Sequence, residues 1–472
     1  MSNRIGKRKQ SKLGIGEEPG SRRPPDTGGA PGTSGKQDQK RPADSGGTSE
    51  TGGKQGRIRR LLAVLGPGLI TGASDDDPSG IGTYAAAGAA LGLRTLWLAL
   101  LTFPLMASIQ FICAKIGMVS GRGLAGVLRK HYSKRLLYPA LAGLVIANTI
   151  NAGTDIGAIA AAINMFIPIP IKAMVAPIAV VILALQIWGS YRLIAKTFKW
   201  LTLTLLAYIA SAFFARPGWG EVLRATFIPS FSWSTAFLST VVAILGTTIS
   251  PYLFFWQASQ EVEEEISRGR KRLWQRKGAS DKELKYAAWD VNIGMLLSNV
   301  VMYFIILSTA VTLNRAGVTD IQQATGAAEA LRPVAGDAAR FLFGLGLIGS
   351  GFLAVPVLTG CSAYAIAESF GWKLGLDKKP RGAKGFYGII VGCTAVGLLV
   401  NFAGINPIKA LFLTAVINGL LAPPLLVVVM VVSNNKKVMG DRTNSGLMNT
   451  LGWLTTAMMF AAAIGLLLTW KA

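Results

Sequence analysis

The run Ser74-Asp75-Asp76-Asp77-Pro78-Ser79-Gly80 interrupts an otherwise apolar segment, with residues 61–73 before it and 81–91 after it. A charge at bilayer depth costs about 2.5–3.5 kcal/mol on insertion scales, so three acids in a row do not persist there as lipid-facing decoration. What tolerates them is a broken helix facing a wet, protein-lined cavity. Pro78 removes a backbone donor and Gly80 relaxes the chain. Non-helical backbone survives at that depth only where it is buried or lines such a cavity. The competing reading is an aqueous loop between two hydrophobic helices, with the acids as helix N-caps.

Whether this segment lies in a membrane is a question for the whole chain. Its 472 residues are 51% hydrophobic and only 15% charged, with mean hydropathy +0.43, which is the composition of an all-α polytopic membrane protein. Residues 1–56 differ: they are Gly, Ser, Lys, Arg, Pro, Asp and Gln with almost nothing to bury, and are expected to be a disordered basic tail. The net charge of +24 comes partly from this tail. Beside a membrane helix, such a tail is expected to meet anionic lipid or mark the cytoplasmic side rather than bind nucleic acid. No apolar core of a signal peptide follows Met1. Cys113, Cys361 and Cys393 lie in apolar segments, with neither metal-ligand spacing nor a disulfide framework.

Eleven apolar segments reach spanning length: 61–91 (broken at 74–80), 95–118, 137–167, 171–190, 197–215, 236–258, 287–312, 338–367, 385–404, 407–432 and 447–470. With the tail inside, the even-numbered connections hold 24 Lys and Arg, and the opposite side only nine. The bias predicts a cytoplasmic amino terminus and an outside carboxyl terminus in the cell inner (plasma) membrane. Residues 57–472 then form one transporter body: a first repeat over about 61–215, a second over about 236–432, and an extra helix at 447–470. Segments one and six are both interrupted at a polar-Pro step, Asp77-Pro78 and Ser250-Pro251. Interruptions at matching positions of two halves point to a site between inverted repeats, and five spans per half give the halves opposite topology.

Segment six reads Leu245-Gly246-Thr247-Thr248-Ile249-Ser250-Pro251-Tyr252, followed by the acidic run Glu261, Glu263, Glu264 and Glu265. It fits an unwound turn with carbonyls free to coordinate. A plain Pro kink with back-bonded threonines is the alternative, and the matching break in segment one favours a site.

At these residues the chain resembles the NRAMP family of divalent-metal transporters over about 60–435. Gly66-Pro67-Gly68 and Asp77-Pro78 are similar to that family's first helix, whose signature is Asp-Pro-Gly-Asn. QFICAKIGMVSGRGL at 110–124 resembles its second helix and following loop, and LGLIGSGF with TGCSAYA within 345–365 its eighth. The resemblance implies a LeuT-type fold of eleven helices with five-plus-five inverted repeats, breaks in helices one and six, and a metal ion as cargo with no cofactor.

The chain also departs from the family. Gly80 stands where the signature has Asn, and Ser250-Pro251-Tyr252 where it has Met-Pro-His. The proton-carrying carboxylates of segment three align with Asn151 and Thr154, leaving Asp155 one step away. Asp75 and Asp76 add acids where the family is usually neutral. This pattern resembles the NRAMP-related branch that moves magnesium. Sulfur ligands favour softer metals, whereas carboxylates, carbonyls and water suit Mg²⁺ and Mn²⁺.

The resemblance and the chemistry together imply Asp77 as direct ligand, then the carbonyls of Ser74 and Thr247 and the Ser250 side chain, with Gly80 leaving room and Asp76 acting through water. Asp75, Asn151, Asp155, Tyr252 and Asn418 are weaker candidates along the path. Asn148 and the other intramembrane asparagines serve equally well as interhelical hydrogen bonds. Glu261–Glu265 is expected to be a solvated helix end, and Glu368 is open to either reading. No nucleotide fingerprint or Ser/His/Asp set is present, so an enzyme or a primary pump is not expected. The expectation is inward Mg²⁺ and Mn²⁺ transport by alternating access, uncoupled from protons, for which a monomer suffices. A sodium-coupled amino-acid carrier of the same fold and a non-transporting receptor are the alternatives.

Overall fold

The computed structural model describes residues 66–189, 206–321, 327–332, 336–376 and 378–470. The basic tail, the start of the first apolar segment and the first half of the fifth, with Arg192, Lys196 and Lys199, lie outside the described residues.

The first apolar segment is two helices, α1 (Pro67–Asp75) and α2 (Pro78–Leu91). There follow α3 (Trp97–Ser120), α4 (Leu124–His131), α5 (Lys134–Asn164), α6 (Ile171–Trp188), α7 (Ala207–Phe214) and α8 (Trp219–Phe227). The sixth segment is again two helices, α9 (Thr235–Thr248) and α10 (Pro251–Ser267). The chain continues through α11 (Leu273–Arg276), α12 (Asp281–Thr309), α13 (Ala339–Phe370), α14 (Lys384–Val400), α15 (Pro407–Ser433), α16 (Lys436–Met439) and α17 (Gly446–Trp470).

Among the described residues eight helical stretches are long and apolar enough to cross a membrane, α9 and α10 counting together as one, and Lys384–Val400 is a shorter apolar one. Val180, Trp188, Val396, Leu467 and Leu468 stand exposed on them. Such an apolar exterior would aggregate in water and is what a bilayer-facing helix presents.

Both breaks arise from the same local physics. The ring of a proline disfavours helical backbone in the residue before it. Asp77 (φ −71°, ψ 167°) and Ser250 (φ −72°, ψ 131°) are accordingly extended, and Pro78 and Pro251 each open the next helix at a position where a missing N–H costs nothing. Proline alone does not break a helix here, since Pro104, Pro139, Pro177, Pro356, Pro423 and Pro424 all lie inside continuous ones.

Close helix contacts hold each half-helix in place. α1 packs along α12, where a Cβ on Gly72 would collide with the Gly294 carbonyl. α9 packs along α15, where a Cβ on Gly246 would collide with the Ala415 carbonyl. Without a hydrophobic drive between helices in lipid, this small-residue packing supplies the contact energy. α5 lies against α13 and α10 against α3, so the two breaks sit at the centre of the bundle.

Candidate metal-binding site

Asp77 is the N-cap of α2. Its Oδ1 accepts from the Gly80 backbone N–H at 2.6 Å, and its Oδ2 accepts from Asn151 Nδ2 of α5 at 3.1 Å and from the Tyr252 hydroxyl of α10 at 3.4 Å. The same hydroxyl donates to the Ser74 carbonyl at 3.0 Å, joining the end of α1 to the start of α10. The two breaks therefore meet through a phenol. The Ser74 carbonyl keeps one lone pair for another donor or an ion.

Gly80 lines the cradle. A Cβ there would stand 3.1 Å from Thr247 Oγ1 and 3.4 Å from Asp77 Oδ1, so any side chain at this position would fill the space beside the carboxylate. Ser250 turns the other way: its hydroxyl donates to the carbonyls of Gly246 at 2.9 Å and Thr247 at 2.6 Å. The Thr247 carbonyl expected as a ligand thus already takes one hydrogen bond from its own turn.

The remaining acids have few donors. Asp76 Oδ1 and Asp75 Oδ2 share the hydroxyl of Ser298, at 3.0 and 2.7 Å, and Asp75 Oδ1 has no partner. Asp155 has no side-chain partner, with only the Ser79 backbone N–H beside it, and Asn151 Oδ1 has no partner. Asp75 and Asp155 are completely buried, and Asp76 and Asp77 are 6% and 2% exposed. Asp155 is close enough to Asp77 for their charges to interact. Among the described residues no Lys or Arg forms an ion pair with any of the four. Nor do three acidic, histidine or cysteine side chains converge at metal-binding spacing. An ion here would lean on carbonyl, hydroxyl, amide and water oxygens around one or two carboxylates, the manner in which Mg²⁺ is usually held. Every group that hydrogen-bonds to the acids does so through oxygen or amide nitrogen.

The structure thus brings Ser74, Asp75, Asp76, Asp77, Gly80, Thr247, Asn151, Asp155 and Tyr252 together. Asn418 is buried on α15, but no hydrogen bond ties it to the acids; Thr414, one turn earlier, meets Thr154 at 3.4 Å. Asn148 makes interhelical bonds to the Leu358 carbonyl and Ser362 Oγ.

The acidic run of segment six is not a solvated end. The helix continues past it to Ser267, and Glu261 and Glu265 are buried. Gln257 Nε2 donates to Glu261 at 2.8 Å, and Arg270 and Arg268 pair with Glu265. Glu368 caps α4, accepting from the backbone N–H groups of Gly123 and Gly126 at 3.0 and 2.9 Å.

Two residues escaped the sequence reading. Ser298 bridges two of the acids, and Asp290 accepts from the Gly68 N–H at the start of α1 at 2.6 Å. With Gly294 they recur every fourth residue, one polar and small stripe on α12 facing α1.

Solved structures share this architecture. A manganese transporter of Eremococcus coleocola, in complex with an aromatic bis-isothiourea substituted compound, matches with a TM-score of 0.68 at 20% identity over 88% of each chain. MHP1, a nucleobase-cation-symport-1 family transporter in a closed conformation, matches with 0.53 at 16% identity over 86% of this chain and 91% of its own. MhsT in complex with L-phenylalanine matches with 0.54 at 14% identity over 86% and 98%. The fold is the LeuT-type inverted repeat with broken helices one and six. The model of the natural resistance-associated macrophage protein-like (Nramp) family matches residues 68–469, and the chain belongs to that family of membrane transporters.

Proposed function

We propose that the chain is a secondary transporter for hard divalent cations, Mg²⁺ and also Mn²⁺, which it carries inward by alternating access at the two breaks. The observation that carries this reading is the set of four buried carboxylates at and beside the break, without a cationic partner among the described residues and surrounded by oxygen and amide groups. Buried charges persist when they are paired or bind a metal. The missing side chain at Gly80 leaves the Asp77 carboxylate uncovered on that side, which suits an ion that keeps part of its water, as Mg²⁺ does. The family membership and the manganese transporter among the similar structures support a divalent metal as cargo.

In this reading the body spans 57–472 of the cell inner membrane, with repeats over about 61–215 and 236–432, the amino terminus cytoplasmic and the carboxyl terminus outside. A monomer suffices for it and no cofactor is needed, with lipid and divalent ions as its partners. Uptake is electrogenic and uncoupled from protons. Tyr252, with a reference pKa of about 10, does not cycle near neutral pH. A divalent ion moving inward gains about 4.6 kcal/mol per 100 mV without a proton, twice the value for one charge.

The test is flux into proteoliposomes at clamped potential with a pH-sensitive dye inside. Mg²⁺ and Mn²⁺ entry without acidification is expected. Acidification that tracks entry and vanishes in Asp155→Asn would restore proton symport. Competition of flux by amino acids would favour an amino-acid carrier, and no flux at all would favour a receptor.

A further inference from the structure

We propose that Asp75, Asp76 and Ser298 form a second divalent-cation station, filled alongside the one at Asp77. The inference rests on the metal-transport reading above and extends it from one ion to two. Ser298 has one hydroxyl proton and two carboxylates around it, at 2.7 and 3.0 Å. One donor cannot serve both at once. Asp75 Oδ1 is left fully buried with no partner. The hydroxyl of Tyr84 is also buried, has only the Thr247 hydroxyl beside it, and lies close enough to Asp75 and Asp76 to feel their charges. By contrast Asp77 draws on the Gly80 N–H and Asn151, with the one Tyr252 proton shared between it and the Ser74 carbonyl. The donors are therefore distributed unevenly, and the deficit lies on the α1 side of the break.

Charge points the same way. Asp75, Asp76, Asp77 and Asp155 carry four negative charges when ionised, and one divalent ion at Asp77 balances two of them. A second divalent ion on Asp75 and Asp76 balances the rest. It would be held through carboxylates with its waters retained, and the Ser298 and Tyr84 hydroxyls would turn their lone pairs toward it or its waters. Two ions side by side also repel, and multi-site occupancy of this kind lets an ion leave a site that binds it well.

The experiment is Mn²⁺ binding to the detergent-solubilised full chain, read by calorimetry and by low-temperature electron paramagnetic resonance. The expected result is two Mn²⁺ per chain, with lines broadened by coupling between the two spins. Asp75→Asn is expected to leave one Mn²⁺ with unbroadened lines, and Asp77→Asn likewise. Should Asp75→Asn fail to fold, Ser298→Ala serves: it is expected to weaken the second equivalent about tenfold and leave the first within about twofold, by the loss of one hydrogen bond near charged groups. One unbroadened Mn²⁺ in the unmodified chain, unchanged in Asp75→Asn, would overturn the second station and leave Asp75 and Asp76 sharing a proton instead, with the Asp77 site intact. No Mn²⁺ bound by the unmodified chain would overturn both readings.

Discussion

The two breaks are made alike and finished differently. In each, an extended residue precedes a proline that opens the next helix. At the second break the hydroxyls turn back on their own helix: the Ser250 proton is shared between the carbonyls of Gly246 and Thr247, and Thr248 Oγ1 donates to that of Ile244 at 2.7 Å. At the first break, donors come from three other helices, through Asn151, Tyr252 and Ser298, and the acids still outnumber them. A break that satisfies itself is a hinge and a wall. One that does not is where a cation gains most by arriving, because it meets charges already stripped of water. The comparison assigns ion binding mainly to the first break and the shape of the cavity to the second.

The strongest way to break that assignment is Asp77→Ala. Transport and the ion at Asp77 are expected to be lost, leaving only the ion at Asp75 and Asp76, while the protein stays folded, at a stability cost of about 1 kcal/mol for the lost N-cap. Flux and calorimetry on the same preparation check it. Mg²⁺ binding that survives unchanged would remove Asp77 from the ligands.

Gly80→Asn probes the cradle between the breaks. A Cβ there stands 3.1 Å from Thr247 Oγ1, and the amide beyond it takes up space beside the Asp77 carboxylate and displaces water from a hydrated ion. Mg²⁺ uptake is expected to fall about tenfold, or about 1.4 kcal/mol, with Mn²⁺ less affected because it sheds water more readily. Equal loss for both ions would show that the cradle does not act on hydration.

Ser250→Met puts a thioether on the wall. Cd²⁺ affinity is expected to rise several-fold at the expense of Mg²⁺, since sulfur favours softer ions. An untouched selectivity order in competition assays would mean that position 250 does not face the ion. The smallest effect is expected from Ser250→Ala. Because this hydroxyl is engaged by its own turn, Mg²⁺ affinity should stay within about threefold, and the loss should appear instead as about 1 kcal/mol of stability in thermal unfolding. A larger drop in affinity would return Ser250 to the ligand set.

Much of this was legible in the order of residues. Asp77-Pro78 and Ser250-Pro251 announce the breaks, because a proline constrains its predecessor wherever the chain goes. Six other prolines sit inside helices, so the signal lay in proline following a polar run at matched places, not in proline itself. Asn151, Tyr252 and Asp155 were placed by their position relative to a known motif. What stayed hidden depends on tertiary partners and rotamers. Ser298 is one serine among many until α12 lies against α1, although its four-residue spacing from Asp290 and Gly294 was there to be read. The direction of the Ser250 hydroxyl is a choice between its own turn and the cavity, and nothing local announces it. Glu261 and Glu265 looked like a solvated end because basic residues follow them, and those same arginines, folded back, cover Glu265.

The most direct test of the account is Mg²⁺ uptake by proteoliposomes holding the unmodified chain or Asp77→Ala, at fixed membrane potential, with Mn²⁺, Ca²⁺ and Cd²⁺ as competitors. The account predicts Mg²⁺ entry that Mn²⁺ competes for effectively and Cd²⁺ poorly, and that Asp77→Ala abolishes. Uptake of Cd²⁺ in preference to Mg²⁺, or Mg²⁺ entry undiminished in Asp77→Ala, would contradict it.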